Sequence, residues 1–243
     1  KIISEKTTMV ICYGDSLQSN NQKYLIKNFQ NFYQKKLKKY FNTIHFLPFY
    51  PSSSDSGFAV KDHYKVDNKI GTWSDLRNIS KKCDIMADIV INHSSARGLW
   101  FKNFLKEKRP GKNYFYMVNK DYDCSNVVRP RDHNLLSEIK TLNEKKFLWC
   151  TFSHHQIDLN FKNPEVLLEF IDLILRLASY GIKIFRLDAV AFIWKKTGTT
   201  CLNLPQTHEI IKLLRDIVDQ LEQDIVIVTE TNLPKQENLS YFG

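Results

Sequence analysis

The stretch that decides the fold is Ile182-Lys-Ile-Phe-Arg-Leu-Asp-Ala-Val190, together with Ile225-Val-Ile-Val-Thr-Glu230. Each is a short apolar run typical of a β-strand, and each has a carboxylate at its C-terminal end, Asp188 in the first and Glu230 in the second. Neighbouring parallel strands lie about 4.8 Å apart, so these carboxylates can approach the roughly 5 Å that separates the carboxyl groups of a retaining glycosidase. The pair predicts chemistry at a glycosidic bond.

Apolar runs alternate with helical patterns along the rest of the chain, which predicts parallel βα units. Three further strands are expected at 9–13, 43–47 and 84–91, with helices at 22–39 and 74–82. A polar, aromatic-rich stretch over about 100–160 interrupts this rhythm and is predicted to be an insert after the third strand, with surface loops at 106–112 and 129–133. A five-stranded series of this kind is part of a closed (β/α)8 barrel or an open sheet, and both place functional residues at C-terminal strand ends.

The helix before the Asp188 strand has clear boundary signals. Asn163 can cap it, Pro164 suits the first helical position, and Gly181 ends it. A further helix is expected over 207–221. Their predicted buried faces are Leu167, Leu168, Ile171, Ile174, Leu175 and Ala178 in the first, and Ile210, Leu213, Leu214, Ile217 and Leu221 in the second.

Composition narrows the class of protein. The 243 residues, 43% of them apolar, are enough for one large domain or one domain with an insert. The net charge of +9 comes from scattered lysines without a nucleic-acid-binding module, so no nucleic-acid partner is expected. No run approaches the roughly 20 apolar residues of a membrane span. Five cysteines without a Cys-x-x-Cys pair indicate reduced thiols and a cytoplasmic location, while the oligomeric state is left open.

Polar side chains near the two carboxylates have predicted roles. Asp88 and Asn92 share one face of the third strand and are interpreted as buried hydrogen-bonding supports, while His93 begins the following loop and can donate to a sugar hydroxyl. Arg186 shares a strand face with Asp188 and is expected to keep that carboxylate ionised, although an ordinary buried ion pair is the alternative. Burial and the charge of Asp188 are expected to raise the pKa of Glu230, so that it donates a proton.

Three segments resemble, in order and approximate spacing, signature regions of the α-amylase superfamily, glycoside hydrolase family 13. They are Asp88-Ile-Val-Ile-Asn-His93, Phe185-Arg-Leu-Asp-Ala-Val190 and Val228-Thr-Glu-Thr-Asn232. Residues 46–60, 149–153, 156–160, 191–195, 204–208 and 238–243 are further similar to the sucrose phosphorylase subfamily, in particular its branch with glucosylglycerate, glucosylglycerol and sucrose 6-phosphate phosphorylases.

The resemblance implies an α/β fold that is a partial TIM (β/α)8 barrel of about five βα units, with domain B inserted after strand 3. Residues 1–99 would hold the first three strands, 100–160 domain B, and 161–243 the next units. The remaining barrel strands and a C-terminal β-domain would lie outside these residues.

The resemblance also implies retaining glucosyl transfer. Asp188 would form a β-glucosyl-enzyme, Glu230 would protonate the leaving oxygen, and inorganic phosphate, as co-substrate, would release α-glucose 1-phosphate from an α-glucoside. No cofactor and no metal are implied. Asp62, His93 and Arg186 match positions that hold the glucosyl unit, and Gln156 belongs to a substrate-binding segment.

Two positions depart from the family pattern. Asp62-His63 stands where Asp-Tyr is usual, which makes Tyr64 the candidate sugar platform, and His155 replaces an Asp in residues 151–156, which would alter acceptor or phosphate contacts. The family's third catalytic carboxylate would come well beyond Glu230, so these residues are expected to be an inactive fragment of a longer enzyme.

Alternative functions remain open. An amylase-like hydrolase or a glucosyltransferase would use the same carboxylates with a different acceptor. A non-catalytic remnant would bind sugar or a partner chain, and an unrelated open-sheet binding domain is the remaining possibility.

Overall fold

The computed structural model describes residues 3–18, 24–142, 145–221 and 224–242. Its centre is a five-stranded parallel sheet in the order β1-β2-β3-β9-β10, as the apolar runs predict. The strands of this sheet are β1 (Met9–Cys12), β2 (Thr43–Phe46), β3 (Asp84–Val90), β9 (Ile184–Asp188) and β10 (Val226–Thr229).

The register of the central strands aligns the polar residues at one edge. Asp88 of β3 lies opposite Arg186 of β9, and Val90 lies opposite Asp188. On the other side of β9, Leu187 lies opposite Thr229 of β10. All three strands therefore end together, because parallel strands in register bring their C-terminal ends to the same edge.

Helices connect the strands and cover the sheet. They are α1 (Leu25–Phe32), α2 (Trp73–Ser80), α4 (Pro164–Ser179) and α5 (Pro205–Asp219), with a short α6 (Lys235–Leu239) after the last strand. The helix expected over 22–39 is shorter, since a π-helical turn (Tyr33–Leu37) follows α1, and residues 22 and 23 lie outside the described residues. Capping residues determine where two of these helices begin. Thr72 and Asp75 form a capping box on α2, and the Asn163 side chain accepts a hydrogen bond from the Glu165 amide at the start of α4.

The predicted buried face of α4 is wrong in part. Leu168 is 61% exposed, and the helix instead buries Val166, Phe170, Leu173 and Leu177 along with the predicted Ile174 and Ala178. Apolar side chains occupy most of the circumference of this helix, so their pattern alone does not select one face.

A similar error affects α5. Leu213 is 44% exposed, while Ile211 and Val218 are buried beside the predicted Ile210 and Leu214. Tertiary packing on the sheet decides between the two overlapping apolar stripes.

Residues between β3 and α4 form their own small elements. A three-stranded antiparallel sheet has the order β5 (Met117–Val118), β7 (Lys145–Trp149), β6 (Leu136–Lys140), and helix α3 (Leu99–Leu105) precedes it. His93 begins a short strand, β4 (His93–Ser95), rather than a loop, and β4 pairs with β8 (Gln156–Asp158). This pairing holds β8 next to the end of β3.

None of the helices in the described part of the chain combines the length and apolar character needed to cross a membrane.

Candidate active site

Asp188 and Glu230 lie side by side at the edge where the parallel strands end. Asp188 is the last residue of β9 and Glu230 follows β10 directly. The Glu230 amide donates to Leu187 O at 3.0 Å, which extends the strand pairing by one step. The Ala189 amide donates to Glu230 Oε2 at 2.8 Å. Backbone hydrogen bonds therefore hold the Glu230 carboxyl group against the residue that follows Asp188.

The two carboxyl groups share one cavity of about 410 Å³. Asp55, His93 and Arg131 line it as well. The cavity also has aromatic lining from Phe58, Phe152 and Phe192. Charged groups surrounded by aromatic rings are typical of a site for a small polar ligand such as a sugar.

Arg186 connects the acidic residues. Its guanidinium contacts Asp88, which is fully buried, and it lies 3.3 Å from Asp188 Oδ1 and 3.9 Å from Glu230 Oε1. His45 Nε2 contacts the other oxygen of Asp88 at 2.8 Å. The structure thus places Asp88 behind Arg186, where it holds the guanidinium between the two cavity carboxylates.

The charge state expected of Asp188 needs correction. Burial, followed by the negative charge of Glu230, raises the pKa of Asp188 from 3.8 to about 7, although Arg186 opposes the rise. Arg186 cannot prevent the shift, because its closest contact is with Asp88 rather than Asp188. In this structure, Asp188 therefore holds a proton over much of the pH range below 7.

His93 and Asp55 line the cavity, and Gln156, which is buried and is not among the described lining residues, connects them. Gln156 Nε2 lies 2.8 Å from Asp55 Oδ2 and 3.1 Å from His93 Nε2. The His93 ring packs against Phe152 with 5.2 Å between ring centroids. Strand pairing of β4 with β8 brings His93 and Gln156 together, although 63 positions separate them in the sequence.

Asn92 lies behind this group and does not line the cavity formed by the described residues. Its side chain is fully buried and contacts Asp158 Oδ2 at 3.1 Å and Lys195 Nζ at 3.0 Å. Asn92 is thus a buried residue whose amide is hydrogen-bonded on both sides.

The structure does not bring Asp62 into the cavity. Asp62 accepts from the Tyr64 amide at 3.0 Å and contacts Lys65 Nζ at 2.9 Å, in a separate small pocket. His63 is buried against Trp100 with 4.9 Å between ring centroids, and the Tyr64 hydroxyl contacts Glu169. This segment supports the fold, so neither Asp62 nor Tyr64 is placed to hold a sugar in this cavity.

Asp55 occupies the place that the sequence interpretation gave to Asp62. It lies in the loop after β2, in a short 3-10 turn (Asp55–Gly57) where Asp55 and Ser56 have positive φ angles of 56° and 48°. The irregular backbone turns the acidic side chain into the cavity. An acid in a loop that follows a parallel strand is the signal that could have found it.

Arg131 is the second residue that sequence reasoning missed. The interpretation of 129–133 as a surface loop is correct for its exposure, but this loop also forms one wall of the cavity. A loop that is distant in sequence from the strand ends has no local signal that it folds over them.

Among the described residues, no group of three or more His, Cys, Asp or Glu side chains is placed to hold a metal ion.

Residues 18–243 match the family described as Alpha amylase, catalytic domain. The chain belongs to this family, glycoside hydrolase family 13, which confirms the resemblance of its three signature segments.

The similar curated proteins define the subfamily. Glucosylglycerate phosphorylases of Allomeiothermus silvanus and Escherichia coli are each 43% identical over 240 residues, covering 99% and 98% of this chain and 43% of each relative. The sucrose 6(F)-phosphate phosphorylase of Thermoanaerobacterium thermosaccharolyticum is 30% identical over 219 residues, covering 83% of this chain and 44% of that protein. The chain thus spans less than half the length of these relatives.

Solved structures agree on the fold. A crystal structure of sucrose 6F-phosphate phosphorylase from Thermoanaerobacter thermosaccharolyticum superposes with a TM-score of 0.84 at 28% identity, over 94% of this chain and 49% of that chain. A trehalulose synthase, at 19% identity, shows the same fold with a TM-score of 0.82 over 97% of this chain and 46% of that chain. The α/β fold of this chain therefore resembles that of family 13 enzymes.

Proposed function

We propose that this chain carries the nucleophile and the acid/base residue of a retaining phosphorylase that splits an α-glucoside. The observation that carries the proposal is the cavity that Asp188 and Glu230 share at the ends of adjacent parallel strands, with the Arg186 guanidinium 3.3 Å from Asp188 and 3.9 Å from Glu230. The similar curated proteins are phosphorylases of glucosylglycerate, sucrose 6(F)-phosphate and related glucosides, which supports phosphate as the acceptor.

In the proposed first step, the Asp188 carboxylate attacks the anomeric carbon as the glycosidic bond breaks. Glu230 gives its proton to the departing oxygen, and a β-glucosyl-enzyme forms on Asp188. The two carboxyl groups must therefore hold one proton in total, and that proton must be on Glu230 when the bond breaks. Arg186 lies within reach of both groups and stabilises their shared negative charge.

In the second step, a phosphate oxygen attacks the same carbon from the opposite face. Glu230 accepts the phosphate proton, the bond to Asp188 breaks, and α-glucose 1-phosphate leaves with the original configuration. The scheme uses phosphate as its co-substrate and needs no further group. His93 and Asp55 are proposed to hold the glucosyl hydroxyls, with the buried Gln156 positioning both of them and Asp55 taking the role expected of Asp62.

Arg131 is proposed to bind the anionic group on the acceptor side. Arg131 lines the cavity together with the carboxylates of Asp55, Asp188 and Glu230, and phosphate or a glycerate carboxylate would suit bidentate contact with a guanidinium. We propose glucosylglycerate as the first glucoside to test, since two similar curated proteins at 43% identity carry that specificity in their names.

The domain organisation is part of the proposal. Residues 1–99 and 161–243 would form successive βα units of a (β/α)8 barrel, with 100–160 as domain B. The polypeptide of 243 residues, tested by itself, is proposed to have little or no activity, since these residues include only three of the four signature regions expected from the resemblance.

The test is product analysis with and without phosphate. Protein expressed from the complete reading frame is incubated with glucosylglycerate, sucrose 6-phosphate or sucrose, and anomeric products are followed by NMR. We expect α-glucose 1-phosphate only when phosphate is present, and none from the Asp188→Asn variant. Glucose release that is unaffected by phosphate would reject phosphorolysis in favour of a hydrolase, and glucosyl transfer to added sugars alone would favour a glucosyltransferase.

A further inference from the structure

A buried lysine lies behind the cavity, and the proposed chemistry does not use it. Lys195, only 2% exposed, contacts Asp158 Oδ2 at 2.7 Å and Asn92 Oδ1 at 3.0 Å. Asp158 is also fully buried and accepts from the Thr151 amide at 2.9 Å. Burying an ammonium group is costly unless its hydrogen bonds are satisfied, and these contacts satisfy Lys195.

The contacts of Lys195 determine which way the Asn92 amide points. An ammonium group only donates hydrogen bonds, and a carboxylate only accepts them. Asn92 Oδ1 must therefore face Lys195, and Asn92 Nδ2 must face Asp158, whose Oδ2 is 3.1 Å away. The reverse orientation would put an N–H group against the ammonium and an oxygen against the carboxylate. The amide is locked in one orientation.

The locked amide determines the tautomer of the neighbouring histidine. Asn92 Nδ2 lies 3.4 Å from His93 Nδ1, so this ring nitrogen faces a donor and is the one without a proton. Burial lowers the pKa of His93 to about 4, so the ring is neutral at pH 7 and its one proton is on Nε2.

The surroundings of His93 Nε2 agree with this assignment. Nε2 lies 3.2 Å from Phe58 O, which can only accept. The Gln156 Nε2 atom, 3.1 Å away, has its own acceptor in Asp55 Oδ2 at 2.8 Å. One Gln156 N–H therefore has Asp55 as its acceptor and the His93 N–H has Phe58 O, so the contact between Gln156 Nε2 and His93 Nε2 is a close approach of two nitrogens rather than a hydrogen bond.

We infer that Lys195 is a positioning residue that, through the Asn92 amide, keeps His93 as the neutral tautomer with its proton on Nε2. The Nε2–H group donates to Phe58 O in this structure, and a sugar hydroxyl that enters the cavity would share this donor as a second acceptor. Without Lys195 the Asn92 amide can turn over, its oxygen can face His93 Nδ1, and the proton is drawn to Nδ1. The tautomer assignment stands on the contacts and the burial of the ring, whereas its effect on sugar binding rests on the proposed function.

The decisive variant is the exchange Asn92→Asp/Asp158→Asn. It conserves the net charge and keeps a carboxylate beside Lys195, but it replaces the Asn92 N–H with a carboxylate oxygen opposite His93 Nδ1. Lys195→Met is the direct variant, and Lys196→Met is its control, since that neighbouring lysine is exposed. The exchange variant remains informative even if Lys195→Met fails to fold.

The readout is nitrogen NMR of the chain labelled with ¹⁵N-histidine, in which His93→Gln identifies the His93 signals among the seven histidines. At pH 7 we expect His93 to be neutral with its proton on Nε2 in the wild type and in Lys196→Met. A mixture of tautomers is expected in Lys195→Met, and a proton on Nδ1 in the exchange variant. A wild-type ring that is charged or protonated on Nδ1 would overturn the inference, as would an exchange variant or a folded Lys195→Met that keeps the wild-type tautomer.

Kinetics separates this inference from the proposed function. In protein from the complete reading frame, the exchange variant is expected to raise KM for the glucoside about tenfold, the scale of one lost hydrogen bond. An unchanged KM alongside a shifted tautomer would reject the role of His93 Nε2 in sugar binding. Absence of any glucosyl transfer by the wild type would reject the proposed function and leave the NMR result intact.

Discussion

Replacing Asp188 with asparagine is expected to stabilise the folded chain at alkaline pH. Burial and Glu230 raise the pKa of Asp188 from 3.8 to about 7, so the folded chain keeps a proton that the unfolded chain has already lost. The contribution of this bound proton to the free energy of unfolding is fully present below pH 3.8, and it is lost as the pH rises through about 7. Asparagine is neutral at every pH and avoids this loss.

The size of this stabilisation follows from the pKa shift of Asp188. At about 1.36 kcal/mol for each pKa unit, the whole shift corresponds to roughly 4 kcal/mol, of which about 3 kcal/mol should appear between pH 5 and pH 8. The free energy of unfolding of Asp188→Asn relative to the wild type should therefore rise by about 3 kcal/mol over this range.

The assay is urea unfolding of the chain at pH 5 and pH 8, followed by tryptophan fluorescence, because Trp149 is buried and should report on loss of packing. Asp216→Asn, an exposed carboxylate on α5, is the matched control and should show no difference between the two pH values beyond a few tenths of a kcal/mol. If Asp188→Asn follows the control, the electrostatic account of the site is wrong.

Further predictions concern the cavity wall in protein from the complete reading frame. Asp55→Asn should lower kcat/KM for the glucoside by about 10- to 100-fold, since a charge-assisted hydrogen bond to a sugar hydroxyl is lost, whereas Asp62→Asn should leave it within about threefold. Equal effects of the two substitutions in steady-state assays would contradict the placement of Asp55. Arg131→Gln should raise KM for phosphate about tenfold with little change in kcat, because one charged contact to the anion is removed. A matched Arg129→Gln variant should behave as the wild type, and an unchanged phosphate KM in Arg131→Gln would reject the anion contact.

The strand arrangement could be predicted from the sequence, because short apolar runs that end in polar residues are typical of a parallel sheet. Asp188 and Glu230 follow such runs directly, so their meeting at one edge needs only strand order and register. The positions of side chains in irregular segments could not be predicted from the sequence. The φ angles that turn Asp55 into the cavity depend on the packing of a loop.

Long-range packing explains the other differences. Arg131 reaches the cavity because the segment between β3 and α4 folds back over the strand ends, and no local pattern encodes that path. The buried faces of α4 and α5 follow contacts with the sheet rather than the densest apolar stripe. The pKa of Asp188 depends on burial by distant segments and on the preference of Arg186 for Asp88, neither of which spacing along the chain reveals.

The most direct test of the central claim is to trap the glucosyl group on Asp188. α-Glucosyl fluoride has a leaving group that needs no proton, so a Glu230→Gln variant of protein from the complete reading frame should be glucosylated faster than it is released. After acid quenching and peptide mass spectrometry, we predict an increase of one glucosyl residue on the peptide that contains Asp188. A glucosyl group on any other residue, or turnover without one on Asp188, would contradict the account.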